Sequence, residues 1–447
     1  MRPTLTALLL LASVPAWAQS PVAPVVVGTW EGALDALGLT VRFHVTQTDD
    51  GRLASTLDVP EQGAVGMPTG STTFEDGVLT IDVPAVGAVY TGTLGEDGTV
   101  TGELVQGGAA LPLVLRRVTG AERPRAGRAD EPRGPFPYRE EEVSVPSAEG
   151  VTLAGTLSVP DGPGPYPAVV LVTGSGPQNR DQELLGHRPF HVLADHLARR
   201  GVAVLRYDDR GVGGSSGDFD AATTADFARD AQAAAEYLAA RPESASVGVL
   251  GHSEGGLVGP MAAAASDAVA FVVSLAGPAV PFRDVLRYQL GDDTEAGRAA
   301  LDAFLDEAAT GDPATAPERA AAAYTARLGA DGGGLGADEV VGLADVLAGP
   351  WGRYLLAHDP TAAPRALRVP ALAVFAARDR QVRASDNVPA AVDALAGAPP
   401  GSRVVVLPDL NHLFQPTETG DPAEYATTDT SFDPAMMDLV ADWILAR

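Results

Sequence analysis

The stretch Ser246-Val-Gly-Val-Leu-Gly-His-Ser-Glu-Gly-Gly-Leu-Val-Gly259 leads from an apolar run through Gly251-His252-Ser253-Glu254-Gly255 into an Ala-rich segment. This pattern fits a nucleophile elbow. A serine on a tight turn between a buried strand and a helix raises its hydroxyl above the sheet, and glycines two residues away on either side let the backbone turn. A chain with 50 glycines also meets G-x-S-x-G in ordinary turns, so the apolar run before it and the helix-forming stretch Gly256 to Ala265 after it carry the assignment. Ser253 is the candidate nucleophile.

A serine hydroxyl is a weak nucleophile at neutral pH, and it needs a base to take its proton and a carboxylate to orient that base. On a sheet with such an elbow the chain order is serine, then acid, then histidine. Of the seven histidines, His412 fits best, in the loop Pro408-Asp-Leu-Asn-His412-Leu-Phe that follows the strand-like run Arg403 to Leu407. Asp379, at the end of the run that begins at Ala371, is the expected acid; its rivals are Asp409, three residues before His412, and Asp386. A tetrahedral oxyanion needs preset N–H donors. One is expected from the amide of Glu254, and the other from the loop Thr173-Gly-Ser-Gly-Pro-Gln-Asn-Arg-Asp181, with Ser175 preferred and Gly174 and Gly176 as alternatives.

Other motifs fall short of chemistry. His252 reads as packing, since adjacent residues on a sharp turn point apart. His187 and His191 are four apart, but Pro189 separates them and no Glu follows the first, so a zinc helix is not expected. His196 and His358 have no partner pattern. In Asp209-Arg-Gly-Val-Gly-Gly-Ser-Ser-Gly217, Ser216 stands where a dinucleotide fingerprint needs its third glycine. The stretch reads as a loop shaping the rim of the site, braced by Asp209 or Arg210. No cofactor and no metal is implied by these residues.

The frame for these residues is legible in outline. From Gly28 to Val118 apolar residues alternate, as in Val41, Phe43 and Val45 against Arg42, His44 and Thr46, and Asp-Gly pairs at 50, 76 and 97 punctuate the runs. That predicts a small antiparallel all-β domain over 28–118, a sandwich or a barrel. His44 stands alone on a polar strand face and reads as solvated. Residues 119–137, rich in Arg, Pro, Gly and Asp, read as a linker. From 138 to 447 a hairpin, Glu141 to Ser147 and Val151 to Val159, precedes strands alternating with amphipathic helices, which predicts an α/β domain with a doubly wound, mostly parallel sheet. Phe190, Leu193, Ala194 and Leu197 mark the core face of its first helix. A helical insertion over about 281–369 reads as a lid.

Composition narrows the setting. Arg2, Leu8 to Leu11 and Ala16-Trp17-Ala18 have the layout of a secretory signal peptide, so residues 1–18 are expected to be removed and the protein to be periplasmic or secreted. With no cysteine there is no lipid-anchor site and no disulfide. The net charge of −27, with every basic residue an arginine, repels phosphate backbones and anionic lipid, so no nucleic-acid partner and no membrane insertion are expected. Oligomeric state is not encoded in any pattern found.

Residues from about 138 to the end resemble the bacterial α/β-hydrolases of the EstD-type carboxylesterase and serine-aminopeptidase-like group. The likeness rests on Gly174-Ser-Gly-Pro-Gln-Asn-Arg-Asp181, Asp209-Arg-Gly-Val-Gly-Gly-Ser215, Gly251-His-Ser-Glu-Gly-Gly256, Asp379-Arg-Gln-Val382 and Leu410-Asn-His-Leu-Phe-Gln415. It implies hydrolysis of a small-molecule, short-chain acyl ester through Ser253, Asp379 and His412, without a cofactor. Ala376 stands where such proteins often have glycine before the acid. Two other functions compete: an aminopeptidase of the same fold, with a lid carboxylate for an α-ammonium, and an envelope- or glycan-binding protein with an inactive hydrolase domain.

Overall fold

The computed structural model describes residues 26–34, 39–48, 52–59, 64–83, 87–95, 97–106, 109–118, 128, 130–290, 295–312, 314–328, 337–425 and 427–447. The signal sequence expected over 1–18 and the turn at Asp50-Gly51 lie outside them. The chain forms two compact units, divided between Gly120 and Ala121.

The first unit holds nine strands: β1 (Gly28–Leu34), β2 (Leu39–Gln47), β3 (Leu53–Val59), β4 (Ala64–Pro68), β5 (Thr72–Glu75), β6 (Val78–Val83), β7 (Ala88–Leu94), β8 (Thr99–Gln106) and β9 (Ala109–Arg117). They form one antiparallel sheet in the order β2-β1-β9-β8-β7-β6-β5-β3-β4, and β2 also pairs with β3. That extra pairing closes the ring with β4 outside it, so the all-β domain is a barrel and not a sandwich. A ring of about eight strands leaves an interior that side chains just fill. Trp30, Phe43, Leu79, Ile81, Tyr90 and Leu113 fill it here. Asp76 and Gly77 both have positive φ, 50° and 82°, as a tight hairpin turn requires. His44 is not solvated alone as expected, since its Nε2 lies 2.8 Å from Asp58 Oδ2 and its Nδ1 3.1 Å from Thr29 Oγ1. Thr29 sits directly across from it on β1, while Asp58 lies diagonally on β3, opposite Arg42, so neither partner shows in the period-two pattern of β2.

The second unit is the α/β-hydrolase fold. Its strands are β10 (Tyr138–Pro146), β11 (Thr152–Pro160), β12 (Tyr166–Val172), β13 (Ala203–Tyr207), β14 (Ser244–His252), β15 (Phe271–Leu275), β16 (Ala371–Ala376) and β17 (Arg403–Leu407). They line up as β10-β11-β13-β12-β14-β15-β16-β17. The first two pairings, β10 with β11 and β11 with β13, are antiparallel, and all later ones are parallel. Parallel strands need crossovers, which place helices on both faces and bury the central strands completely. Helices α1 (Pro189–Arg199), α2 (Thr224–Ala239) and α3 (Gly255–Ala265) are joined late in the chain by α11 (Pro434–Leu445). Phe190, Leu193 and Leu197 of α1 share one core with Val440, Trp443 and Ile444 of α11, while Ala231, Ala235 and Leu238 of α2 pack on the opposite face with Val258 and Ala262 of α3.

Between β15 and β16 the expected insertion appears as α4 (Phe282–Gln289), α5 (Glu295–Thr310), α6 (Ala316–Leu328), α7 (Ala337–Ala348), α8 (Pro350–Ala357) and α9 (Ala362–Arg365). It has an apolar core of its own, with Leu286, Leu301, Phe304, Leu305, Tyr324 and Leu347 among its members. The sequence reading did not include α10 (Ala384–Leu395), which joins β16 to β17. Within the expected linker, Arg128 donates to the carbonyls of Leu185 and Gly186, and Asp130 accepts from the Ser431 amide, so that end of the stretch packs on the second unit.

Candidate active site

β14 ends at His252 and α3 begins at Gly255, so the chain reverses within two residues. Ser253 takes φ +55°, a left-handed conformation that a side-chain-bearing residue holds only when its surroundings enforce it. Its amide donates to the Leu275 carbonyl at the end of β15, 2.8 Å away, which pins the turn. The flanking glycines are steric necessities. A Cβ on Gly251 would lie 1.8 Å from the Gly255 oxygen, and one on Gly255 would lie 2.3 Å from the Val172 oxygen.

β14, β15, β16 and β17 run parallel and side by side, so the residues that follow β14, β16 and β17 emerge along one edge of the sheet. Asp379 and His412 are both buried there, with His412 Nδ1 2.8 Å from Asp379 Oδ2. The other carboxylate oxygen, Oδ1, accepts from the amides of Gln381, at 2.7 Å, and Val382, at 2.8 Å. Asp379 is thereby held on both oxygens. Of the three carboxylates considered, it is the one that reaches His412. Asp409 is exposed and paired with Arg378, and Asp386 is paired with Arg383. The His412 loop is shaped by Asn411, fully buried, whose Oδ1 accepts from the amides of Leu413 and Gln415 at 3.0 Å each.

His252 does more than pack. Its Nε2 donates to the His412 carbonyl at 2.9 Å, and its Nδ1 accepts from Gln182 Nε2 at 2.8 Å. The two imidazole rings lie 4.9 Å apart. Burial, with the neighbouring His412 adding to it, pushes the His252 pKa down to about 3, so the ring stays neutral with its proton on Nε2. Although His252 and Ser253 side chains diverge, the backward-pointing one reaches the next functional loop. The motif itself held the signal, but the partner lies 160 residues on.

On the other side of the elbow, Gly174 faces Ser253: a Cβ there would lie 3.2 Å from Ser253 Cβ. Ser175 follows it, its carbonyl accepting from Gln178 Nε2 at 3.1 Å. The loop is braced from below by Asp209, which accepts from Thr173 Oγ1 at 2.8 Å and from the Gln178 amide at 2.9 Å. Asp208 adds the Arg180 amide and guanidinium, and Arg210 pairs with buried Asp230. The rim loop therefore carries a brace, as expected, and Asp209 is the member that touches the Thr173–Gln178 segment. Burial drives the Asp209 pKa up to about 8 against those two hydrogen bonds, with the charges of Glu254 and Asp230 pushing the same way.

Glu254, the residue after the nucleophile, is 4% exposed. Its carboxylate accepts from Thr224 Oγ1 at 2.7 Å and from Trp351 Nε1 at 2.9 and 3.0 Å. Burial raises its pKa and these donors oppose the rise. A small hollow beside Gly174 and Glu254, with room for about one water, is lined by Val172, Phe219, Phe227 and Val258 and by the charged Asp209, Arg210 and Asp230. The remaining histidines lie elsewhere. His187 is buried between Ser431 Oγ, at 3.0 Å, and the Tyr425 carbonyl, at 2.8 Å, and His196 Nε2 lies 3.2 Å from Asp438.

The structure thus holds a buried imidazole–carboxylate pair, His412 and Asp379, on a loop hydrogen-bonded to His252 of the elbow. Residues 187–300 match the model of the serine aminopeptidase S33 family. The chain is 29% identical over 315 residues to esterase EstD of Thermotoga maritima, covering 70% of this chain and 68% of that one. Among solved structures, esterase Pf2001 of Pyrococcus furiosus matches 69% of this chain and 92% of its own at 15% identity, TM-score 0.43. Est1E of Butyrivibrio proteoclasticus, solved with ferulic acid bound, matches 68% of this chain and 96% of its own at 18% identity, TM-score 0.42.

Proposed function

We propose that this chain, an α/β-hydrolase of the carboxylesterase type, cleaves short-chain acyl esters through a Ser253–His412–Asp379 triad. The observation that carries the reading is the 2.8 Å pair between His412 Nδ1 and doubly anchored Asp379, with the His412 carbonyl held by the ring of His252, the residue before Ser253. In this mechanism Asp379 Oδ2 accepts a hydrogen bond from Nδ1–H of His412 and keeps that proton on Nδ1, which leaves Nε2 free as a base. His412 takes the proton from the Ser253 hydroxyl as its oxygen attacks the ester carbonyl. The tetrahedral oxyanion is received by the backbone amides of Glu254 and Ser175, each worth about 3 kcal/mol if preset at the right distance.

Collapse expels the alcohol, protonated by His412, and leaves the acyl group on Ser253. Water, deprotonated by His412, attacks that acyl-enzyme, and a second collapse releases the carboxylic acid and restores the serine. His252, neutral across the working range, anchors the His412 backbone without adding a second positive charge beside the imidazolium.

Ser253→Ala should lower kcat on a p-nitrophenyl acyl ester by about 10⁶-fold. A variant keeping most of the parent activity would remove Ser253 from the mechanism. Parallel assays on acyl esters and aminoacyl amides separate an esterase from an aminopeptidase. Covalent labelling of Ser253 by an organophosphonate excludes an inactive hydrolase domain. The layout of residues 1–18 supports export, in which case the mature protein starts at Gln19; amino-terminal sequencing of protein from the periplasm or medium tests this.

A further inference from the structure

An oxyanion hole made of two backbone amides depends on the placement of both, and the two amides here are held in different ways. That of Glu254 belongs to the elbow, where the Ser253 amide is pinned to the Leu275 carbonyl at 2.8 Å and neither Gly251 nor Gly255 has room for a Cβ. That of Ser175 belongs to Thr173-Gly-Ser-Gly-Pro-Gln178, a loop with two glycines, of which Gly176 takes φ +89°. Such a segment has many conformations open to it. The amides of Gly174, Ser175 and Gly176 have no acceptor among the described residues, and Pro177 has no N–H, so main-chain bonds do not fix this loop from within. Free donors are what an oxyanion requires, but nothing in the loop itself keeps them in place.

Asp209, just after β13 and 7% exposed, ties down both ends of the loop. Its Oδ1 accepts from Thr173 Oγ1 at 2.8 Å and its Oδ2 from the Gln178 amide at 2.9 Å. The Asp209 amide also donates to the Gln178 carbonyl at 3.1 Å, so Gln178 is held twice. Gln178 passes the restraint inward, since its Nε2 donates to the Ser175 carbonyl. Ser175 is thus tied by its carbonyl and free at its amide. We propose that Asp209 is a positioning residue, which closes the Thr173–Gln178 loop on one carboxylate and so presets the Ser175 amide for the tetrahedral oxyanion. The proposal rests on the esterase reading of Ser253 and deepens it. A carboxamide can fill the same place, because its oxygen can keep the Gln178 amide while its N–H₂ donates to Thr173 Oγ1, whereas a methyl group holds neither end.

The test uses the whole chain and two readouts, kcat/KM for p-nitrophenyl acetate and the Ki of a trifluoromethyl ketone. Ser253 Oγ adds to the ketone carbon, the C=O bond becomes C–O⁻ and the serine proton passes to His412, so the adduct carries the charge that the two amides receive. Thr173→Val removes one tie and should lower kcat/KM about tenfold, the scale of one buried hydrogen bond. Asp209→Ala removes both carboxylate ties and should lower it about 10²-fold, the scale of one lost oxyanion donor. Ki should rise by the same factors, and Asp209→Asn should recover most of what Asp209→Ala loses. A role in stability alone reduces the fraction of protein that an organophosphonate labels at Ser253 and leaves Ki unchanged. That pattern overturns the brace, and so do folded Thr173→Val and Asp209→Ala proteins within about twofold of the parent in both readouts. Should Asp209→Ala fail to fold by circular dichroism, Thr173→Val decides alone. A parent protein that does not label at Ser253 removes the triad and the brace together, whereas a labelled parent with unaltered variants removes only the brace.

Discussion

Replacing Asp379 by Asn perturbs one proton and almost no volume, and the structure says where that proton goes. Asp379 Oδ1 accepts two backbone amides, from Gln381 and Val382, at 2.7 and 2.8 Å. In the Asn variant the carboxamide oxygen must stay on those donors, because turning the amide group would set its N–H₂ against two backbone N–H groups. The N–H₂ then faces His412 Nδ1, which today lies 2.8 Å from Oδ2. Two donors cannot share that contact, so His412 gives up the proton on Nδ1 and carries it on Nε2. Nε2 is the atom that must take the Ser253 proton. The ring is held in place by its backbone anchor to His252 but in the wrong tautomer, and kcat should fall about 10⁴-fold, roughly 5.4 kcal/mol of transition-state stabilisation. Steady-state kinetics on p-nitrophenyl acetate measure the loss, with circular dichroism and a denaturant midpoint to establish folding. Asp409→Asn serves as the control and should stay within about twofold of the parent, since Asp409 is exposed and paired with Arg378. A folded Asp379→Asn protein with more than about a tenth of the parent kcat would falsify the assignment of Asp379.

Two further variants probe the supports. His252→Phe keeps the ring volume but leaves the His412 carbonyl without its 2.9 Å donor, and kcat should fall about 10²-fold, the cost of a misplacement near 1 Å; an unaltered kcat with an unaltered stability would make His252 mere filling. Asp209 has a folded pKa near 8 against an ordinary value of 3.8. The folded state therefore holds its proton more tightly than the unfolded chain does, and stability falls as pH rises through that window and levels off above it. Asp209→Asn can keep the Gln178 amide on its oxygen while the Thr173 hydroxyl rotates to accept. Urea midpoints between pH 5 and 8 should then decline less in the variant than in the parent, with the remaining slope including the raised pKa of Glu254. Parallel slopes in the two proteins would mean that Asp209 is not buried as an ionisable group.

What could be read from the chain alone follows the range of the forces involved. The elbow is a local steric problem, settled within five residues by Gly251 and Gly255, so its motif is visible in sequence. Asp379 and His412 are far apart in the chain, but parallel sheets bring strand ends to one edge in a fixed order, and strand order is a pattern a sequence carries. Closure of the β-domain was not legible, because period two reports which face is buried and not that β2 meets β3. Helix α10 escaped for the opposite reason: Ser385, Asp386, Asn387 and Pro389 argue locally against helix, and burial of Ala384, Ala391 and Ala394 overrides them.

The least legible residues are the two neighbours of Ser253, and their roles share one geometric cause. A nucleophile on a strained turn sends the side chains on either side of it in different directions, which a motif search treats as a reason to ignore them. The same divergence lets His252 reach the His412 loop while Glu254 reaches Thr224 and Trp351. Three consecutive residues thus connect the base and the helical insert to the serine, and any strain that shifts one connection is felt by the others through a turn too tight to absorb it. The glycines let Ser253 take its positive φ, and these long-range bonds, together with the Leu275 carbonyl, hold the turn from several sides. Loss of either neighbour's partner should therefore reach the nucleophile, whereas loss of a surface pair such as Arg378–Asp409 should not.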